Sequence, residues 1–379
     1  MVWEAYLCGF DEQTKAFTIH IMKKALLLTS LVTLAGMSVL GQTSQKEKIQ
    51  ISAYLETYYA FQNTQPEDHL LPLFLYSHNR HNEITPNLAL IQLEYAQART
   101  RTKIGLMAGT YANANLVAEP AVLKNIFEAN VGYRLSKVEE IWLDAGVFAS
   151  HIGFESAIGA DCWTLSRSLG AENSPYYNSG LRLSYYSSNG RWYAAALVMN
   201  GWQRIQRPDG VQMPALGHQL TYTFGERLVL NSSSFIGEDR PEQLRLFHNF
   251  YTQVGLSERL SLILGFDIGA EQIDRGLNEY QLWYTPVGIL RWEASERLRI
   301  ALRGEYFADP QNVLFYVGPS GLQATSASLN LDYQLTPALL WRIEGRWLSN
   351  VEPIFPAGDS SVSQTSIFYT SLAFSLGRE

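Results

Sequence analysis

The chain has 379 residues, with 29 Lys and Arg against 36 Asp and Glu, a formal charge of −7. That length suits two soluble domains or one large barrel, and the mildly acidic balance supplies no electrostatic footprint for nucleic acid. Twenty-one Tyr, 17 Phe and 9 Trp stand in a chain only 17% charged, so aromatic abundance without general greasiness is the first property to explain.

Residues 1–21 have no hydrophobic periodicity, and they precede a segment that is complete by itself. In "MKKALLLTSLVTLAGMSVLGQ", Met22, Lys23 and Lys24 lead into an uncharged run from Ala25 to Leu40, and Val39 with Gly41 place small residues before Gln42. This reads as a secretory signal peptide over 22–41, too short and too weakly flanked for a spanning helix, with Gln42 where a lipoprotein needs Cys. Residues 1–21 are therefore expected to be a non-native upstream extension, and the mature chain to run over 42–379. Removing Met1–Gly41 takes away three bases and three acids, leaving 26 against 33 and the charge at −7. Cys8 leaves with it, so Cys162 stands alone and no intrachain disulfide is expected in spite of export.

From Lys48 onward, segments of about ten residues alternate in polarity with period two. "KIQISAYLETYYAF" sets Ile49, Ile51, Ala53 and Leu55 against Gln50, Ser52, Tyr54 and Glu56. "NIFEANVGYRL" opposes Phe127, Ala129, Val131, Tyr133 and Leu135 to Glu128, Asn130 and Arg134. "ATSASLNLDYQL" opposes Leu329, Leu331, Tyr333 and Leu335 to Ser328, Asn330, Asp332 and Gln334, and "WRIEGRW" opposes Trp341, Ile343 and Trp347 to Arg342, Glu344 and Arg346. Between Leu228 and Trp292 the alternation blurs. Short turns are expected at 98–102, 136–140, 187–191, 225–227, 257–259, 295–297 and 336–337. Longer loops are expected near 62–87, 111–125, 150–179, 200–216, 236–245, 270–282, 307–322 and 349–364, strictly alternating with the turns. "RWEASERLRIALRGEY" (291–306) is readable as a helix capped at Ser295, but "GERL", "SERL" and "SERL" recur before fresh strands, which favours a hairpin there.

Seven turns and eight loops imply about sixteen strands. Short connections at one end and long ones at the other predict an all-β, transmembrane, antiparallel up-and-down barrel with periplasmic turns and external loops. A soluble sandwich or lipocalin-like barrel would alternate too, but has little reason to segregate its connections. On this reading lipid meets the aliphatic faces, and Arg299, Arg303, Arg342, Glu344 and Arg346 line the inner wall. Tyr58, Tyr59, Phe61, Tyr185, Trp192, Trp292, Trp341 and Trp347 are assigned to interfacial girdles.

At "FASHIGFESAIGADCWTLSRSLGAENSPYYNSGLRLSYY" (148–186), through its "HIGFE", "SRSL" and "AENSPYYNSG" elements, the sequence resembles the Putative β-barrel porin-2 family of Gram-negative outer-membrane proteins. The resemblance implies an outer-membrane barrel engaged in passive transport, with no catalytic residues to carry over. Residues 150–179 form the longest and third external loop. By likeness to general porins this loop folds into the barrel as a constriction, bringing Glu155, Asp161, Arg167 and Glu172 into the lumen. Opposed acidic and basic arrays there would select solutes by polarity, whereas the plainer reading makes them ion pairs bracing the wall.

"HNRH" (78–81) has spacing that could hold a metal, but with only Glu67, Asp68 and Glu83 nearby it is expected to be a solvated loop. Cys162 is expected to be a lone loop thiol, and His218 and His248 have no evident partners for catalysis. The expected function is a porin for small hydrophilic solutes in the cell outer membrane, exported by its signal peptide. No enzyme activity, cofactor, metal or nucleic-acid partner is expected; the partners are outer-membrane lipid, the solutes and a homo-oligomer. The alternative is a non-conducting barrel acting as an adhesin or as a structural subunit of an envelope assembly.

Overall fold

Period-two alternation leaves each strand one apolar and one polar face, and closing the sheet gives every edge a partner. The computed structural model describes residues 48–274 and 278–378; the upstream extension, the 22–41 signal segment and the cleavage before Gln42 lie outside these described residues. The wall is built from β1 (Lys48–Gln62), β2 (Ile84–Ala96), β3 (Thr100–Ala108), β4 (Ile126–Arg134), β5 (Glu140–Ala149), β6 (Tyr177–Tyr186), β7 (Trp192–Met199) and β8 (Ala215–Phe224). It continues through β9 (Leu228–Arg240), β10 (Gln243–Gly255), β11 (Leu260–Gln272), β12 (Tyr280–Glu293), β13 (Leu298–Asp309), β14 (Leu322–Thr336) and β15 (Leu339–Asn350). A small hairpin, β16 (Phe355–Ala357) and β17 (Ser360–Val362), interrupts the last loop before β18 (Gln364–Leu376) closes the barrel against β1, in register Leu55↔Phe374. Each wall strand is antiparallel to its neighbours, giving a closed barrel of sixteen strands. Among the described residues no helix is long and apolar enough to cross a membrane.

The register settles which face is inside. Along β14 and β15, Ser326, Ser328, Asn330, Asp332, Arg342, Glu344 and Arg346 are buried, while Leu329, Leu331, Trp341 and Trp347 are exposed. The pairs Asp332↔Arg342 and Asn330↔Glu344 therefore face inward and Ala327↔Trp347 faces outward. The segment 291–306 is a hairpin turning between Glu293 and Leu298. All seven expected short turns join consecutive strands at one end.

Three expectations change. The loop expected near 236–245 is a tight turn of Pro241 and Glu242, whose positive φ of 66° lets β9 and β10 pair almost to their tips. The loop near 270–282 shortens likewise, because β11 extends to Gln272 and β12 starts at Tyr280. Tyr58 is no girdle residue: it points inward at 1% exposure, and its hydroxyl accepts from the Arg80 amide at 2.9 Å.

Loops pack into the loop end of the barrel. Phe235, Phe247 and Trp283 from the wall join Phe74 from the first loop, Leu165 and Leu169 from the third, and Phe355 in one hydrophobic cluster. This explains the blurred alternation between Leu228 and Trp292: several inward positions there, Phe235, Phe247, Ile263, Trp283, Val287 and Ile289, are apolar like the outward ones. Gly269 is required because a Cβ on it would lie 2.0 Å from the Trp283 ring.

Candidate functional site: the third loop and the inner wall

A loop threaded through a barrel must find partners for its backbone N–H and C=O groups. The third loop, 150–176, carries Ile152, Ile158, Leu165 and Leu169, all buried, which draw it inward. The wall of β13–β15 then supplies both kinds of partner, arginines for its carbonyls and carboxylates for its amides. Arg342 donates to the Gly159 carbonyl at 2.6 Å and to the Cys162 carbonyl at 2.9 Å while its Nε binds Asp332 at 2.7 Å. Arg303 donates to the Ser166 carbonyl at 2.7 Å and to Glu344 at 3.0 Å. Arg346 donates to the Arg167 carbonyl at 3.0 Å and to Glu305 at 2.7 Å. In the opposite sense, the Ser166 amide donates to Glu344 at 2.6 Å and the Leu169 amide to Glu305 at 2.6 Å. The "SRSL" element, Ser166–Leu169, is thus the centre of a clamp.

The inner-wall residues Arg303, Arg342, Glu344 and Arg346 face inward but meet the loop, with 0%, 0%, 0% and 2% exposure. Arg299 sits apart near the turn end, half-buried, donating to Gln334 at 3.2 Å. Of the loop residues, Arg167 is wholly buried and folds the loop on itself, donating to the Ser156, Leu165 and Ala157 carbonyls. Glu155 accepts from the Ser168 amide at 3.0 Å; burial raises its carboxyl above the usual range, against the pull of Arg303. Asp161 is exposed and pairs with Arg378 at 2.7 Å. Glu172 accepts from the Tyr76 and Ser77 amides at 2.9 and 3.1 Å, tying the third loop to the first. Burial pushes Glu172 up to about 7, with those amides and Arg167 opposing the rise.

The first loop also turns inward, which corrects the reading of "HNRH" as a solvated stretch. His78 and His81 are buried: His78 Nε2 lies 3.0 Å from the Glu56 carboxylate, and His81 Nδ1 accepts from the Gln62 amide at 2.9 Å. Asn87 braces the same Glu56 at 3.2 Å. Among the described residues no cluster of His, Cys, Asp and Glu could hold a metal ion. Cys162 is buried beneath the clamp, and burial raises its thiol to about 11. His218 and His248 lie on the outer wall with their rings 6.1 Å apart, bridged by Ser232, while Ser234 meets His218 alone.

Sequence reasoning passed over the far side of the lumen. Toward the turn end, a cavity of about 480 Å³ is lined by Lys48, Arg101, Lys103, Arg182, Glu94 and Glu128. Arg101 and Arg182 share one carboxylate, Asp144, at 2.6 and 3.2 Å, and Lys103 lies 3.0 Å from Glu94 and 3.6 Å from Glu128. The available signal was strand parity, which puts Arg101 and Lys103 on one face of β3 and Glu128 on one face of β4.

A family described as Putative beta-barrel porin-2, OmpL-like, matches residues 48–376. No curated protein matches the chain in sequence. Among solved structures, an anion-selective porin from Comamonas acidovorans superposes with a TM-score of 0.59 at 8% identity, over 87% of this chain and 100% of that one. The trimer form of OmpT, an outer-membrane protein of Vibrio cholerae, gives 0.54 at 9%, over 88% and 100%. A mutant of the Rh. blastica porin gives 0.53 at 12%, over 87% and 100%. At these identities the likeness establishes the fold.

Proposed function

The chain belongs to the Putative beta-barrel porin-2, OmpL-like family, and from that membership we propose that it is an outer-membrane porin, a water-filled channel through which small hydrophilic solutes pass down their gradient without a chemical step. Export by the 22–41 segment and assembly as a homo-oligomer are part of the proposal, the latter supported by the trimer described for the Vibrio cholerae neighbour.

The observation that carries the reading is the asymmetry of the lumen. The third loop acts as the constriction and is clamped to β13–β15 by Arg303, Arg342, Arg346 and Glu344. Glu155 and Arg167 shape it, Glu172 joins it to the first loop, and Asp161 tethers it to Arg378. Permeation then follows the opposite wall, past Arg101, Lys103 and Arg182, whereas Arg299 borders the turn-end mouth. Lys48, Arg101, Lys103 and Arg182 against Glu94, Glu128 and Asp144 leave one excess positive charge, four minus three. A fixed positive charge beside a narrow aqueous path enriches anions.

A second reading, a non-conducting barrel with adhesive or structural duty, draws on the hydrophobic cluster that caps the loop end. Single-channel recording in a planar bilayer separates the two, since only an open lumen gives conductance steps. Within the porin reading, Arg182→Gln leaves Asp144 paired with Arg101 and lowers the excess charge from one to zero. The reversal potential should move toward cations at 0.1 M salt, where screening reaches about 10 Å, and much less at 1 M, where it reaches about 3 Å. An unmoved potential at low salt would exclude this wall as the permeation path.

A further inference from the structure

The outer wall carries a polar row where an apolar one is required. His218 on β8, Ser234 on β9 and His248 on β10 are successive cross-strand partners, His218↔Ser234↔His248. His218 Nδ1 lies 2.5 Å from Ser234 Oγ, its Nε2 lies 3.4 Å from Ser232 Oγ, and Ser232 Oγ lies 3.4 Å from His248 Nε2. Both imidazoles are exposed. The row lies inside the apolar band. One step toward the loop end Leu216, Ile236 and Leu246 face outward, and one step toward the turn end Leu220 and Phe250 flank Ser232, with Leu230 a further step along β9. Next to it, β7 turns Ala194 and Ala196 outward, opposite Leu220 and His218. The wall is therefore both polar and flat here, unlike β13–β15, where Leu302, Leu329, Trp341 and Trp347 project.

Hydrocarbon offers no hydrogen-bond partner, so imidazoles and hydroxyls at that depth are favoured only where protein covers them. Each imidazole and each hydroxyl both donates and accepts. Among the described residues, the Nδ1 atom of His248 has no partner within the chain. The same patch on a second barrel can supply what this one lacks, and the small alanines let two walls approach closely.

We propose that the outward patch of Ala194, Ala196, His218, Ser232, Ser234 and His248 is the surface by which this barrel docks on a second copy of its own chain in the membrane. This rests on the porin reading, since it requires the outer wall to meet lipid. The test is a benzophenone side chain at position 234, with one at position 55 on the opposite wall as reference, both in the full chain in native outer membranes. Position 55 should crosslink lipid and position 234 should give a product of twice the chain mass. Lipid adducts at both positions, or an adduct of 234 with a different protein, overturn the interface while leaving the membrane barrel standing. Lipid adducts at neither position overturn the porin reading itself. In parallel, H218L/S234L/H248L makes the patch apolar without changing the inner wall. Native mass spectrometry of this variant should show a folded monomer where the parent shows an oligomer. A folded variant that keeps the parent's oligomeric state would overturn the assignment.

Discussion

The clamp between Arg342 and the third loop can be broken at one atom group and read at another that the protein already carries. Arg342→Met removes two hydrogen bonds to loop carbonyls and leaves Asp332 buried beneath the loop without its cation. Removing one partner of a buried pair costs about 3–5 kcal/mol. Undocking the loop hydrates Asp332, so this cost falls on the docked state and opens the loop. At about 1.4 kcal/mol per decade, exposure of the segment should rise by roughly two to three and a half decades. Cys162 reports it, because its thiol is buried in the loop and its own carbonyl is one of the two that Arg342 holds. Maleimide labelling of the mature protein should be slow in the parent and faster by that factor in Arg342→Met. The double variant R342M/D332N removes the stranded charge and should label at an intermediate rate. Equal labelling of parent and Arg342→Met would refute the clamp, as would a shifted reversal potential with labelling unchanged, which would make Arg342 a filter.

The remaining predictions concern the loop junction, the lipid face and the leader. Glu172 has a folded-state value raised to about 7 by burial, so its contribution to loop docking is complete below the unfolded carboxylate range and is lost as pH rises through 7. Proteolysis of the first and third loops should therefore quicken between pH 5 and 8, and Glu172→Gln should flatten that dependence. Leu302→Arg places a charge on the outward face of β13 and should lower the folding stability in vesicles by about 2–4 kcal/mol, measured by urea titration. Intact-mass spectrometry of protein extracted from outer membranes should give a chain beginning at Gln42; a chain beginning at Met1 would refute the leader assignment.

Strand number, parity and the division of connections into turns and loops were legible because each rests on a local rule. Arg342 and Trp341 cannot face the same side, whatever surrounds them. The rules failed where tertiary packing took over. At 236–245, Gly, Glu and Asp read as loop, yet the strands needed only Pro241 and Glu242 to reverse. In β9–β12 the inner wall holds Phe235, Phe247 and Trp283, since there it packs against loops rather than water. Burial of His78 was illegible because Glu56, its partner, lies 22 positions upstream on the wall. Parity placed Arg303 and Arg346 inside, but it could not place loop carbonyls in front of them.

That last gap decides how the inner wall can act on ions. A charge influences a passing solute through the field it leaves in water, and Arg303, Arg342 and Arg346 leave little. Each lies within 3.0 Å of a carboxylate and is covered by the loop. Such buried pairs contribute weakly to net stability, because desolvation offsets most of their attraction. Their effect is positional: a loop segment with its carbonyls on three guanidiniums and its amides on two carboxylates has one register against the wall. On the other side, Arg182 shares Asp144 with Arg101 at the edge of an open cavity, so its field reaches water. On the proposed function the two walls would divide the work, one fixing where the lumen narrows and the other setting the charge of what remains open. Changes on the first should alter conductance through loop position, and changes on the second should alter selectivity while the loop stays in place.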